Sequence, residues 1–199
     1  MKKDRIEEIK RLFMERGPVL RTVVLREHKI SSRDIASLSA DALLEKVKRG
    51  YYRWNDDQDD LELVQAIFPQ GVISVFSAAV IHELTTINPM SISITLPTNI
   101  FKPNLPDYPP VEIFRAAEEI MELGVEDYTV GNNKIRLYNK ERTVCDFFKY
   151  RARMGSDMAM EVLKAYMSGS NCDLQKLIEY AVRLRVRKYI KPYVEALIQ

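Results

Sequence analysis

Between Ser31 and Trp54 the apolar residues change period, and that change restricts the local fold more than any other feature of the chain. Ile35 and Leu38 are spaced for one edge of a short helix. Leu44 and Val47, then Tyr52 beyond Arg49-Gly50, fit a strand, a turn and a second strand. Glycine suits the turn because, lacking Cβ, it takes up positive φ without a clash. Ser31 stands three residues ahead of Asp34, the spacing at which side chain and backbone cap a helix reciprocally. Upstream, Ile6, Ile9, Leu12 and Phe13 share one face of a helix predicted over residues 3–16, which Gly17 and Pro18 stop. A second helix is predicted from Thr22, whose hydroxyl is placed to cap it, to about His28, with Lys29 and Ile30 as the turn into the third.

Three short helices followed by a basic hairpin is the order of a winged helix-turn-helix. Residue 42, where many such domains carry glycine, is alanine, which calls for a tighter turn or a longer third helix. The charge distribution singles out the same region. Residues 1–54 hold 14 Lys and Arg against 8 Asp and Glu, a net of +6, while the remainder nets −4 in a chain whose total is +2. Positive charge concentrated in one small unit is what a phosphate-binding module needs, although solvated helix faces produce the same count. On the third helix, Ser32, Arg33 and Ser37 are predicted to face outward, where Arg33 can fork onto guanine and the serines can reach bases or phosphates. Arg21 and Thr22, at the start of the second helix, are further DNA-binding candidates, and Lys46, Lys48, Arg49 and Arg53 lie on the hairpin, where they would touch backbone or enter the minor groove.

The expected architecture is α+β: the winged helix-turn-helix over 1–55, an acidic linker over 56–60, and a larger mixed α+β domain over 61–199 that ends in a helical bundle. Asp56, Asp57, Asp59 and Asp60 make the linker too charged to bury and unfavourable to phosphates. Beyond it, residues 61–68 and 72–84 are predicted as helices and 91–96 as a strand. Residues 97–110, with five of the nine prolines, form a constrained loop. A strand over 111–114, a helix over 116–123 and a hairpin of 125–130 with 134–138 across Gly131-Asn132-Asn133 follow. Helices over 140–153, 157–167, 173–184 and up to Ile198 complete the chain.

No catalytic set, metal site or cofactor is expected. His82-Glu83 begins a zinc-protease pattern, but Thr86 stands where the second histidine belongs, and the chain has only one other, His28. Gly155-Ser156 and Gly169-Ser170 resemble openings of nucleotidyltransferase sites without the paired aspartates that would hold magnesium, and they fit helix caps. Cys145 and Cys172 are too few for a disulfide framework or a metal set. The amino terminus lacks the apolar stretch of a signal peptide and the 71–81 segment is too short to span a bilayer, so a cytoplasmic protein with no membrane partner is expected. Within Asn139 to Asp146, Arg142 and Asp146 are spaced for a local ion pair. Arg183, Arg185, Arg187, Lys188 and Lys191 form a basic run without acid, either a solvated helix face or a second nucleic-acid surface.

With these segments in order, the chain resembles the AbiEi family of type IV toxin-antitoxin antitoxins, described as predicted regulators of viral defence systems. The resemblance is carried by Lys46 to Tyr52 (KVKRGYY), Pro69 to Pro89, Glu141-Arg142-Thr143-Val144-Cys145-Asp146, and Lys188 to Ile198, so it covers nearly the whole chain. It implies a winged helix that binds double-stranded DNA at the protein's own promoter and acts as an autorepressor. It also implies a carboxy-terminal domain that counters a nucleotidyltransferase-like toxin, the functional partner, without a stable complex. The alternative is a stand-alone winged-helix transcription factor whose second domain senses a ligand or protein. An enzyme acting on nucleotides or on the toxin is a third reading.

Overall fold

Ser31 and Asp34 do cap each other: the Asp34 amide donates to Ser31 Oγ at 3.2 Å and the Ser31 amide to Asp34 Oδ2 at 2.8 Å. That reciprocal pair, worth about 1 kcal/mol to a helix, starts α3 in a computed structural model that describes residues 3–56, 59–101, 103–131 and 133–198. Hydrogen bonds from the Ser31 backbone and hydroxyl hold the Asp34 carboxyl below its ordinary pKa. The amino-terminal elements are α1 (Lys3–Arg16), β1 (Val19–Arg21), α2 (Thr22–Glu27), α3 (Ser32–Ala40), β2 (Leu44–Lys48) and β3 (Tyr51–Trp54). They form a three-stranded sheet in the order β1-β3-β2, and both pairings are antiparallel.

Strand β1 is absent from the sequence expectation because three residues are too few to display alternation. Its presence moves the cap of α2 to Arg21, which is extended and makes no side-chain cap bond. Thr22 is instead the first helical residue, and its amide donates to Gly50 O at 2.9 Å, tying the helix to the hairpin turn. Ile9, Leu12 and Phe13 from α1 join Leu25, Ile35, Leu38, Leu44 and Trp54 in one apolar core. Ala42 leaves α3 at φ 55, the left-handed conformation a glycine would adopt at no steric cost. Asn55 holds this turn by donating Nδ2 to Ala42 O at 2.9 Å.

The second unit comprises α4 (Asp60–Ile67), β4 (Val72–Ile73), α5 (Val75–Ile81), β5 (Ile92–Pro97), β6 (Val111–Ala116), α6 (Glu118–Met121), β7 (Val125–Val130), β8 (Asn133–Tyr138), α7 (Lys140–Lys149), α8 (Arg151–Met154), α9 (Ser156–Ser168), α10 (Leu174–Arg183) and α11 (Arg187–Ile198). Five strands form a mixed sheet in the order β6-β5-β4-β8-β7. Of the acidic stretch, Asp59 caps α4 by accepting from the Leu61 amide at 2.7 Å and Asp60 opens that helix, while Asp57 and Gln58 lie outside the described residues. Asn132, in the expected hairpin turn, also lies outside them.

The helix expected over 72–84 divides. Val72 and Ile73 are the central strand, flanked by β5 and β8, and the chain turns into α5 through Val75 at φ 46. A short apolar run fits either period, and burial in the middle of a sheet decides for strand. Helices α5, α7, α9, α10 and α11 enclose one core, and α4 covers the other face of the sheet. Val47 of β2 is buried in that second cluster, with Val19 and Tyr51 packed against it, so the two units share apolar contacts. The expected 140–153 helix is interrupted at Tyr150, which ends α7 and precedes α8.

Arg142 and Asp146 form the local pair the spacing suggests, but inside the protein: both are about 1% exposed, with Arg142 Nε 3.1 Å from Asp146 Oδ1. The guanidinium also donates to Ile120 O at 2.6 Å and Leu123 O at 2.9 Å, and stacks 4.1 Å from the Tyr138 ring centroid. Gly124, at φ 78, completes the arrangement, because a Cβ there would stand 2.7 Å from Arg142 Cβ.

Ala42→Gly removes a left-handed strain of roughly 1–2 kcal/mol but adds unfolded-chain entropy, so urea unfolding is expected to show a net gain of about 0.5–1 kcal/mol. A loss of stability would show that the strain at Ala42 is smaller than the entropy that glycine adds to the unfolded chain.

Candidate nucleic-acid interface

The side of the hairpin on which each basic residue falls is set by an irregularity in β2. Leu44, Glu45 and Lys46 pair in step with Trp54, Arg53 and Tyr52, but Lys48, not Val47, pairs with Tyr51. The extra residue is a bulge, which reverses the side that later residues face. Regular alternation would put Lys46 and Lys48 on one face. Instead Lys46 is exposed, whereas Lys48 is only 8% exposed and turned toward the second unit. Its ammonium donates to Asn104 O at 3.3 Å and lies 4.3 Å and 4.8 Å from the Tyr51 and Phe68 ring centroids. Burial, and then the charge of Arg21, push the Lys48 pKa down. Lys48 is therefore a contact between the two units and is not among the cations that the hairpin presents to solvent.

Arg53 is also engaged. It pairs across the strands with Glu45, its Nη2 2.6 Å and its Nε 2.8 Å from Glu45 Oε2, and it is half-buried. Its charge is largely neutralised where it stands. Exposed residues of the expected set lie on α3, on the hairpin and at the end of β1. Ser32 and Arg33 are exposed and Ser37 is half-buried, opposite the buried Ile35 and Leu38. Lys46 and Arg49 are exposed, and neither they nor Arg33 pairs with a carboxylate among the described residues. Arg21 is exposed with its guanidinium carbon 5.8 Å from the Tyr51 centroid, and Thr22 is half-buried beneath the turn. Two further cations, Arg26 on α2 and Lys29 in the α2–α3 turn, are exposed on this unit, and sequence reasoning passed over both. Their position just before the Ser31 cap was the available signal.

The basic run divides by geometry as well. Arg183 ends α10, Arg185 sits at φ 61 in the turn, and Arg187, Lys188 and Lys191 begin α11. All five are exposed, and Lys191 pairs with Glu195 at 3.4 Å. They belong to the second unit, apart from the α3 and hairpin set in the chain's architecture.

His82 and Cys145 have structural surroundings that account for them. His82 Nε2 lies 2.7 Å from Tyr138 O, and burial lowers its pKa. Cys145 is buried, which raises its thiol well above the ordinary value. Among the described residues no three His, Cys, Asp or Glu side chains cluster as a metal site requires, and no helix is long and apolar enough to cross a membrane. In comparisons with known proteins, the chain matches no family model and no curated protein.

Lys46→Ala is expected to weaken binding of a DNA duplex several-fold and to lower the salt slope by about one. Lys48→Met, an apolar replacement of similar length, is expected to leave that affinity unchanged within about twofold. Fluorescence anisotropy over a salt series checks both, and equal losses in the two variants would return Lys48 to the contact surface.

Proposed function

We propose that the chain is a DNA-binding transcriptional autorepressor and antitoxin of a type IV toxin-antitoxin (abortive infection) system, in which the amino-terminal unit acts as a winged helix-turn-helix. One observation carries the DNA-binding half: α3 presents Ser32 and Arg33 to solvent opposite its buried edge, beside a hairpin whose Lys46 and Arg49 are free of carboxylates among the described residues. The element order α1-β1-α2-α3-β2-β3 supports the same reading. In this mechanism α3 enters the major groove and Arg33 reads a guanine edge through two parallel N–H donors. Lys46 and Arg49 bind phosphates from the hairpin, which adds affinity without sequence information. The antitoxin half is supported by the resemblance to the AbiEi family across both units, and it gives the protein a nucleotidyltransferase-like toxin as functional partner without a stable complex.

A second reading, a stand-alone winged-helix transcription factor whose second unit senses a ligand, is favoured by a cavity of about 390 Å³ against α9 and α11. Growth rescue on coexpression with an adjacent toxin gene is expected only under the antitoxin reading.

Competition binding between the protein's own upstream DNA and random duplex tests the regulatory claim. The upstream DNA is expected to win, Arg33→Ala to lose that preference at a cost of about 1–3 kcal/mol, and Arg49→Ala to weaken both duplexes alike. Equal affinity of the wild-type protein for both duplexes would sink the repressor assignment.

A further inference from the structure

The cavity in the second unit lies where α7 gives way to α8 and where the starts of α9 and α11 meet it. Phe148, Arg151, Ser156, Lys188, Tyr189 and Tyr193 line it. Its floor is apolar, since Phe148 and Ala159 are almost completely buried. Its volume of about 390 Å³ falls in the range of small-molecule sites.

Two cations converge on one ring at this cavity. Arg151 Cζ lies 3.4 Å and Lys188 Nζ 4.8 Å from the centroid of Tyr189. Arg151 is held in place by donating Nη1 to Phe148 O at 2.8 Å and by contact with the Tyr189 hydroxyl, which leaves its remaining donors available. Neither cation pairs with a carboxylate among the described residues. This positive field also lowers the pKa of the Tyr189 hydroxyl, first through hydrogen bonding from Lys188 and then through the charge of Arg151. Beside them Tyr193, 41% exposed, presents a ring whose centroid is 6.1 Å from that of Phe148. Arg151 and Lys188 are 37 residues apart in the chain, so no local motif joins them.

Unneutralised cations attract a phosphate, and an exposed aromatic ring over an apolar floor offers a stacking surface to a base. We propose that this cavity binds a nucleotide, with the phosphate on Lys188 and the free donors of Arg151 and the base against Tyr193. The ligand chemistry is the same for a free mononucleotide and for the phosphorylated terminal nucleotide of a single strand. The site belongs to the second unit, so the proposal stands independently of duplex binding by α3.

Calorimetric titration of the full chain with AMP, adenosine, inorganic phosphate and a 5′-phosphorylated single-stranded oligonucleotide tests it. AMP is expected to bind at least about tenfold more tightly than adenosine or phosphate alone, because the two halves of the site act together. Lys188→Glu, a change at an exposed position, is expected to keep the wild-type unfolding temperature while lowering AMP affinity at least about tenfold. Tyr193→Ala is expected to weaken AMP and leave phosphate unchanged. Tighter binding of the oligonucleotide than of AMP, lost in Lys188→Glu, identifies a strand end as the ligand; the reverse order identifies a free nucleotide. No binding of AMP or oligonucleotide up to about 10 mM, binding indifferent to Lys188→Glu, or phosphate binding as tight as AMP would overturn the proposal.

Discussion

At Val47 the β2 strand holds one residue more than its partner, and the two faces of the hairpin acquire different tasks as a result. Val47 enters the apolar cluster beneath α4, its carbonyl accepts from the Asp107 amide at 3.1 Å, and Lys48 follows it toward Asn104. An ammonium removed from water without a carboxylate is unfavourable, and here a carbonyl and the faces of Tyr51 and Phe68 partly offset that loss. Lys46, before the bulge, and Arg49, at the turn, are left in solvent. The hairpin is thus anchored on one side and free on the other. An anchored hairpin keeps its cations in fixed register with α3, which is the preorganisation that the proposed duplex contact requires.

The second unit depends on a different buried charge. Arg142 joins α7, the end of α6 and the β8 residue Tyr138 through one guanidinium. Breaking such a pair by removing one partner leaves a lone charge in the interior, a loss on the order of 3–5 kcal/mol. Asn139 caps the same helix by accepting from the Arg142 amide at 3.0 Å. The Arg142–Asp146 pair and the Asn139 cap of the ERTVCD segment thus serve folding, whereas the cavity beside α8 is a feature that packing does not use.

Local features were legible in the sequence. The bounds of α1, the Ser31–Asp34 cap, the β7–β8 hairpin and the outward face of α3 all follow from spacing and capping chemistry that act within a few residues. The features that depend on partners distant in the chain were not. Val72 and Ile73 become strand only because β5 and β8 flank them, and β1 exists only because β3 is there to pair with it. Lys48 looks like Lys46 in the sequence, and only the bulge and the approach of Asn104 distinguish them. The meeting of Arg151 with Lys188 across Tyr189 belongs to the same class.

Amide hydrogen exchange of the full chain with and without a duplex from its own upstream region tests the central claim most directly. Bound DNA is expected to slow exchange in residues 31–40 and at the Arg49-Gly50 turn, and to leave the Val47–Asp107 contact unchanged, because that face of the hairpin is already covered. Slowed exchange confined to residues beyond 60, or none in residues 31–50 under saturating duplex, would contradict it.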